Sequence, residues 1–232
     1  MIESLEENKI LVINSYSSNL SEYSKLHSFL CMEKNKIKTA KTICYSSQLD
    51  LHKAVHDLNG FPLVVKRDSG GRGLDVSKCY SLYDLEESIK VIKSSKDYEG
   101  KILLQEFIQP IEDKDYRVWV VDGKVVFFHG RSLKAVKPGE KPWLASISLG
   151  SELLLLKNKI PPALQKLSID AAKAVGATFD VLDIVKSKDG YVVIEHNLTP
   201  QFTPEYIDIF NFNPIDFFMD KIISKLRVEL GK

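Results

Sequence analysis

The stretch from Val181 to Pro200, VLDIVKSKDGYVVIEHNLTP, constrains the fold more than any other part of the chain. It contains two apolar, β-branched runs around a short turn that ends in Gly190, a pattern typical of a β-hairpin. A three-residue turn would place Asp183 opposite Glu195, with Asn197 two residues on and facing the same side. A two-residue turn would send the two carboxylates to opposite faces.

In the first register, two like charges lie across a strand pair, which is destabilising unless a cation neutralises them. Two carboxylates and an amide oxygen are ligands that suit Mg²⁺, a hard cation that proteins usually share with substrate phosphates. The three residues alone leave two interpretations open, a metal-binding hairpin and an exposed hairpin with scattered polar side chains.

Upstream, Lys66 ends an apolar strand that begins at Pro62, and three glycines follow at positions 70, 71 and 73. Lysine is rarely buried without a partner, so we expect its ammonium to meet an anion or to emerge at the strand end. The glycines would let backbone N–H groups converge on phosphate oxygens. Their spacing matches neither the P-loop nor the dinucleotide fingerprint, and a flexible hairpin turn is the alternative.

Other charged residues are ambiguous when they are taken singly. Lys25 lies in a predicted helix among polar neighbours and is expected there as a solvated lysine. Glu106 interrupts the apolar strand KILLQEFI, where a carboxylate needs a donor partner, either in a salt bridge or in a nucleotide. Asp115 and Arg117 are two apart on a predicted strand and share a face. The basic, turn-rich loop at 130–142 is either solvated surface or a lid over anions.

Further patterns predict the remaining helices and strands. Predicted strands cover 9–14, 39–45, 62–66 and 101–108, and a hairpin at 115–129 turns at Asp122-Gly123, a strong type I′ signal. A polar turn is predicted at 15–20. Predicted helices cover about 20–34, 47–60, 81–94 and 161–175, and a final helix starts at Asn213.

Composition excludes several classes of protein. The chain has 232 residues, of which 44% are hydrophobic and 27% charged, and its net charge is +1. That charge provides no electrostatic footprint for nucleic acid or for an anionic membrane. No apolar run approaches transmembrane length, and MIESLEENK is no signal peptide. Three cysteines, far apart and odd in number, fit a reducing cytosol, so we expect a cytoplasmic protein.

Taken in order, four segments resemble the ATP-grasp superfamily, and most closely its RimK-type and LysX-type ligases: LVVKRDSGGRGLDV, ILLQEF, DYRVWVVDGKVV and VLDIV…YVVIEHN. The resemblance runs from about residue 14 to 210. It implies an α+β fold of two lobes with ATP bound between them. The implied domains are a remnant strand and linker at 1–18, a small lobe with a glycine-rich flap at 19–108, and a large lobe with the metal hairpin at 109–232.

The resemblance also implies a role for individual side chains. Lys25 and Lys66 would contact the ATP phosphates, Gly70, Gly71 and Gly73 would form the flap, and Glu106, Phe107 and Ile108 would hold adenine. Asp115 would lie on the ribose side, Arg117 would face the γ-phosphate or the acyl-phosphate, and Asp183, Glu195 and Asn197 would bind the metal. The metal would be one or two Mg²⁺ ions, with Mn²⁺ as an alternative. Arg131 and Ser146 are the predicted substrate contacts. Ser146 ends a segment that stands where RimK-type ligases carry Arg-Ser-Asn.

The implied activity is ATP-dependent ligation of a carboxylate, on a peptide or an amino acid, to an amine through an acyl-phosphate. Two alternatives stay open: a kinase that stops at phosphoryl transfer, and a nucleotide-binding module without catalysis that acts within a complex. The N-terminal domain of these ligases is expected to be nearly absent, and only Ile10–Asn14 resembles its last strand. A homodimer or a partner chain would then complete the acceptor site.

Overall fold

In the described part of this computed structural model, two antiparallel sheets, one of four strands and one of five, form the framework. The structure describes residues 1–70, 76–95, 98, 100–200 and 204–229. Within those ranges, no helix combines the length and the hydrophobicity that a bilayer span requires.

The elements have the following bounds. The helices are α1 (Ile2–Glu7), α2 (Tyr16–Tyr23), α3 (Lys25–Lys34), α4 (Leu51–Asp57), α5 (Leu82–Ser94), α6 (Pro162–Ala174), α7 (Glu205–Phe210) and α8 (Pro214–Glu229). The strands are β1 (Thr42–Cys44), β2 (Leu63–Arg67), β3 (Val76–Cys79), β4 (Ile102–Glu106), β5 (Lys114–Val121), β6 (Lys124–Ser132), β7 (Leu153–Leu154), β8 (Phe179–Ser187) and β9 (Gly190–Asn197).

The smaller sheet has the strand order β1-β4-β2-β3, and α4 and α5 supply its hydrophobic cover. Val65 on β2 and Leu104 on β4 are fully buried beneath Ile89 of α5. The predicted strand at 62–66 and the predicted helix at 81–94 are confirmed. The helix predicted at 47–60 starts later, at Leu51, because Asp50 accepts the capping hydrogen bond at its N-terminus.

The larger sheet has the order β7-β6-β5-β8-β9, and its core is covered by α6 and α3. Met32 of α3 is buried among Val118, Leu182 and Val193, which come from three strands of this sheet. The predicted small lobe at 19–108 therefore includes a helix that packs on the larger sheet, because α3 buries Met32 in the core of that sheet, although α3 also contacts β1.

The predicted strand at 9–14 and the predicted turn at 15–20 are wrong. Asn14 inserts its carboxamide against the first residue of β8: its Nδ2 donates to Phe179 O at 2.7 Å, and its Oδ1 accepts from Phe179 N at 2.8 Å. The Asn14 side chain thus hydrogen-bonds with the backbone N–H and C=O groups of Phe179, which a neighbouring strand would otherwise bond. Ser15 then caps α2, which begins at Tyr16.

The hairpin of β8 and β9 has a two-residue turn, Lys188-Asp189, since Ser187 pairs with Gly190. A three-residue turn is therefore wrong. Asp183 nevertheless pairs with Glu195, because the register shifts by one residue between Ile184 and Asp183.

The extra residue in this register shift is Ile194, which forms a β-bulge. Both Ile194 and Glu195 consequently lie on the face that carries Asp183 and Val185, where all four line one cavity. The bulge, and not the turn, brings the two carboxylates onto one face.

Candidate active site

A cavity of about 660 Å³ lies between the two sheets, and its walls come from β2 and β4 on one side and from β5, β6, β8 and β9 on the other. A second space of about 250 Å³ adjoins it and shares Lys25, Lys66 and Glu195. The larger volume falls within the range of sites for small molecules and cofactors.

Most of the predicted site residues line the larger cavity. They are Lys25, Lys66, Gly70, Glu106, Phe107, Ile108, Arg117, Arg131, Ser146, Asp183, Glu195 and Asn197. Asp115 is not among the lining residues. The predicted flap glycines Gly71 and Gly73 lie outside the described residues.

Lys25 forms an ion pair with Glu195, and Lys66 feels the charge of the same carboxylate. Lys25, at the start of α3, places its Nζ 3.2 Å from Glu195 Oε1 and also donates to Gly70 O. Lys66 on β2 is only 6% exposed, and this burial lowers the pKa of Lys66 to about 8, although Glu195 acts in the opposite direction. An anion that binds beside this buried lysine would favour its ammonium form.

Asp68 positions Lys25 and was missed in the sequence. Its carboxylate accepts from Leu26 N at 2.7 Å and from Ser24 Oγ at 2.9 Å, and its backbone O accepts from Lys25 N at 3.1 Å. Ser24 is the N-cap of α3, and Asp68, which follows β2, binds both Ser24 and the first turn of that helix. The pairing spans more than forty residues of chain, so no local sequence signal reveals it.

Glu22 is a second residue that sequence reasoning missed. Its carboxylate accepts hydrogen bonds from the backbone N–H groups of Leu198 and Thr199, directly after Asn197. Glu22 also lines the cavity. It therefore joins α2 to the end of β9 and fixes the direction in which the chain leaves the hairpin.

On the cavity wall that the larger sheet forms, two arginines hold Asp183. Arg117 donates from Nε to Asp183 Oδ1 at 2.8 Å, and Arg131 Nη2 lies 2.9 Å from Asp183 Oδ2. Arg131 also pairs with Asp115, with its Nε 3.1 Å from Asp115 Oδ1. Burial acts to raise the pKa of Asp183, but the two guanidinium groups outweigh it and hold the pKa well below its usual range.

The RimK-like ATP-grasp domain family matches residues 23–210 of this chain. The chain belongs to this family. A coenzyme γ-F420-2:α-L-glutamate ligase of Methanocaldococcus jannaschii is 31% identical over 235 residues, which cover all of this chain and 74% of that relative. Probable α-L-glutamate ligases are 29% identical in Shewanella pealeana, over 84% of this chain and 40% of the relative, and in Coxiella burnetii, over 81% and 59%.

Solved structures agree on the ATP-grasp fold. A D-alanine–D-alanine ligase from Bacillus anthracis superposes with a TM-score of 0.74 at 20% identity, over 98% of this chain and 75% of that one. The ATP-grasp ligase PsnB, in complex with a minimal precursor, gives 0.68 at 17% identity, over 94% and 66%. The chain spans 40–59% of the length of the Shewanella and Coxiella relatives, so an ATP-grasp domain is what the comparison establishes.

This ATP-grasp domain presents a donor set that fits a hard cation. Asp183, Glu195 and Asn197 line the same cavity. The Asn197 Nδ2 donates to Val181 O at 3.1 Å, so its amide oxygen is the atom suited to a metal. Among the described residues, no group of three or more His, Cys, Asp or Glu could hold a metal ion. Two carboxylates and one amide would therefore bind a metal together with ligand oxygens, as Mg²⁺ sites with phosphates do.

At the other end of the cavity, the backbone from Glu106 to Ile108 leaves β4. The Glu106 carboxylate accepts from Lys41 N at 2.8 Å and from Asn59 Nδ2 at 2.7 Å, so it already holds two neighbouring segments together. Phe107 and Ile108 supply an apolar wall. The contact of Glu106 with adenine stays a prediction.

Arg131 is not part of the basic loop in which the sequence places it. It lies within β6, is 4% exposed and forms a buried pair with Asp115 across to β5. That pair occupies the Asp115 carboxylate and argues against its predicted contact with ribose. Ser146 lines the cavity and its backbone N–H donates to Ser151 Oγ at 2.9 Å. The substrate contacts of Arg131 and Ser146 stay predictions.

Proposed function

We propose that this chain is an ATP- and Mg²⁺-dependent ligase that joins a carboxylate of a peptide or amino acid to an amine. The observation that carries the proposal is the convergence of Lys25, Lys66 and Arg117 with Asp183 and Glu195 on one cavity of an ATP-grasp domain. Cations bind a triphosphate, and the two carboxylates suit the metal that accompanies it.

The proposed reaction has two steps. An oxygen of the substrate carboxylate attacks the γ-phosphorus of ATP, the bond from that phosphorus to the bridging oxygen breaks, and ADP leaves. The amine nitrogen then attacks the acyl carbon of the acyl-phosphate, inorganic phosphate leaves with the bonding electrons, and the nitrogen loses a proton. Positioning and charge neutralisation carry most catalysis of phosphoryl transfer, which fits a site rich in cations.

The side chains would divide this work along the cavity. Lys25 and Lys66 would bind the phosphates, and Arg117 would stabilise the γ-phosphate and then the acyl-phosphate. Asp183, Glu195 and Asn197 would hold one or two Mg²⁺ ions, with Mn²⁺ as a substitute. A bound metal there would neutralise phosphate charge and withdraw electrons from the γ-phosphorus. The glycine loop that starts at Gly70 would cover the phosphates.

The relatives direct the choice of substrates. Because three of them are named for α-L-glutamate ligation, glutamate is the first amine to test. The PsnB structures contain a precursor peptide, which supports a peptide as the acid. A homodimer or a partner chain that completes the acceptor site, and a cytoplasmic location, stay part of the proposal.

The test measures release of ADP and phosphate from Mg·ATP with a pool of carboxylates, with and without amines. Phosphate release that requires both an acid and an amine, together with an amide product by mass spectrometry, would support the ligase. A stable phosphorylated product without an amine would indicate a kinase. Binding of Mg·ATP without turnover would indicate a non-catalytic module. Lys66→Ala is the negative control, since it removes a predicted phosphate contact.

A further inference from the structure

One carboxylate outside the phosphate end of the cavity gathers donors from two segments, the end of β3 and its own loop. Glu140 accepts from Tyr80 Oη at 2.7 Å, from Trp143 Nε1 at 2.9 Å and from Lys137 N at 3.3 Å, and its Oε1 lies 3.6 Å from Lys78 Nζ. Its side chain is only 7% exposed, as is that of Lys78. A carboxylate with this many donors is held in one place.

These contacts join the two sheets. Glu140 lies in a loop that leaves the larger sheet after β6 and closes where Lys134 pairs with Leu144. Lys78 belongs to β3, the edge strand of the smaller sheet, and Tyr80 follows that strand directly. The Glu140 contacts therefore fasten the loop at 134–144, whose residues Trp143 and Leu144 line the cavity, to the opposite sheet.

The same cluster shapes one end of the cavity. Lys78 Nζ lies 4.0 Å from the ring centre of Phe107 and 5.4 Å from that of Trp143, distances at which a cation is attracted to an aromatic face. The Phe107 and Trp143 rings meet edge to face at 5.8 Å, and both line the cavity. Glu140 balances the Lys78 charge, so this end presents aromatic surface, whereas Lys25 and Lys66 mark the phosphate end.

We propose that Glu140 is a positioning residue: it latches the loop at 134–144 to β3 and so holds Trp143 beside Phe107 as the wall that receives the nucleobase. The inference rests on the proposed function, since it assumes that the cavity binds ATP. It adds Glu140, Trp143 and Lys78, none of which touches the phosphate end, to the residues that determine nucleotide affinity. Flat bases gain binding energy from aromatic side chains that are already in place.

The test compares a ligand that has a base with one that lacks it. Affinities for Mg·ATP and for Mg·tripolyphosphate are measured by calorimetry on the full chain and on Glu140→Gln, which keeps the side-chain size but removes the charge. We expect ATP affinity to fall by about fivefold to tenfold, which is the loss of part of one stacking contact. Tripolyphosphate affinity should stay within about twofold, since no base contact is involved.

Two further variants make the result specific. Glu152→Gln is the matched control, because Glu152 lies in the same region with a side chain that is 75% exposed. Tyr80→Phe removes one donor to Glu140 from a residue that is half exposed, so it is expected to fold even if Glu140→Gln does not. Tyr80→Phe should lower the affinity for ATP but not the affinity for tripolyphosphate. The double variant should lose no more ATP affinity than Glu140→Gln does.

Three outcomes would contradict the latch. Unchanged ATP affinity in Glu140→Gln and Tyr80→Phe, in a wild-type chain that binds ATP, would overturn this inference and leave the proposed function intact. An equal loss for ATP and tripolyphosphate would reduce Glu140 to a general structural role. A wild-type chain that binds neither ligand would overturn the proposed function and this inference with it.

Discussion

Arg117 and Asp183 lie opposite each other on β5 and β8 and share two hydrogen bonds, of 2.8 and 3.1 Å. Arg131 contacts the same carboxylate from β6. The carboxylate that we propose as a metal ligand is thus already neutralised by two guanidinium groups. A metal that binds Asp183 would share this carboxylate with the arginines, which keeps Arg117 close to the phosphate that the metal accompanies.

This network predicts an order of stabilities. Arg131→Ala should lower the free energy of unfolding by about 3–5 kcal/mol, because it leaves the buried Asp115 without its cation. Arg117→Ala should cost less, about 1–3 kcal/mol, since Asp183 keeps Arg131. Urea unfolding measures both. Arg227→Ala, on the exposed face of α8, is the control and should stay within about 0.5 kcal/mol. A larger loss for Arg117→Ala would contradict this assignment.

The proposed metal site predicts a change in ligand-induced stabilisation. Asp183→Asn and Glu195→Gln should each abolish the Mg²⁺-dependent rise in melting temperature that a nucleotide produces, because binding to the folded state alone shifts the unfolding equilibrium. The measured quantity is the shift and not the melting temperature itself, which either substitution can lower. Asp189→Asn, in the exposed turn of the same hairpin, should keep the full shift. A wild-type shift in both site variants would rule out this metal site.

The pKa of Lys66 predicts proton uptake when ATP binds. Burial lowers this pKa from 10.5 to about 8, so at pH 8 about half of the folded chains carry a neutral amine. A bound triphosphate favours the ammonium form, and ATP affinity should therefore fall as the pH rises above 8. Calorimetry at pH 8 in two buffers of different ionisation enthalpy should show an uptake of about half a proton. Identical heats in the two buffers would contradict the phosphate assignment, and Lys66→Gln should remove the difference.

The lowered pKa of Lys66 also makes the free energy of unfolding depend on pH. Because the folded-state pKa of Lys66 is lower than its ordinary value, the unfolded chain binds more protons between about pH 8 and 10.5. The penalty for burying this ammonium is present below pH 8 and is relieved as the pH rises through that window.

Substitution of Asp68 is expected to weaken ATP binding more than its modest effect on the free energy of unfolding would suggest. Asp68→Ala should lower the free energy of unfolding by about 1 kcal/mol, the usual cost of a helix cap, and should weaken ATP binding several-fold because Lys25 follows the cap. Asp50→Ala removes the N-cap of α4, where the carboxylate likewise accepts from a first-turn backbone N–H, that of Lys53, at 3.1 Å. That control should lose similar stability with unchanged ATP affinity. Equal ATP affinities in Asp68→Ala and Asp50→Ala would show that Asp68 does not contribute to the ATP site.

Local patterns in the sequence were sufficient for several elements. The turn at Asp122-Gly123 is confirmed, with both residues at positive φ, because Asp and Gly tolerate the left-handed conformation that a type I′ turn requires. Ser81 caps α5 as its position before the helix predicts. The α+β fold and the membership in the ATP-grasp family are confirmed as well.

What could not be predicted depends on partners that are distant in the chain. The run KILVIN has strand character, yet Asn14 bonds to Phe179 in place of a strand pair. The partner of Arg131 follows from the order of β6, β5 and β8, which no local pattern encodes. Likewise, no local sequence signal marks Glu140, and its contacts with Lys78 and Tyr80 are seen only in the folded chain.

The bulge at Ile194 has a consequence for comparing this chain with other hairpins. A homologue with one residue more in the turn and none at the bulge would present the same acidic pair, since the two changes cancel in the count between Asp183 and Glu195. An alignment without gaps in this hairpin would therefore mismatch residues 190–194, although the carboxylates still align. The insertion belongs inside β9, next to the side chain that it serves to orient.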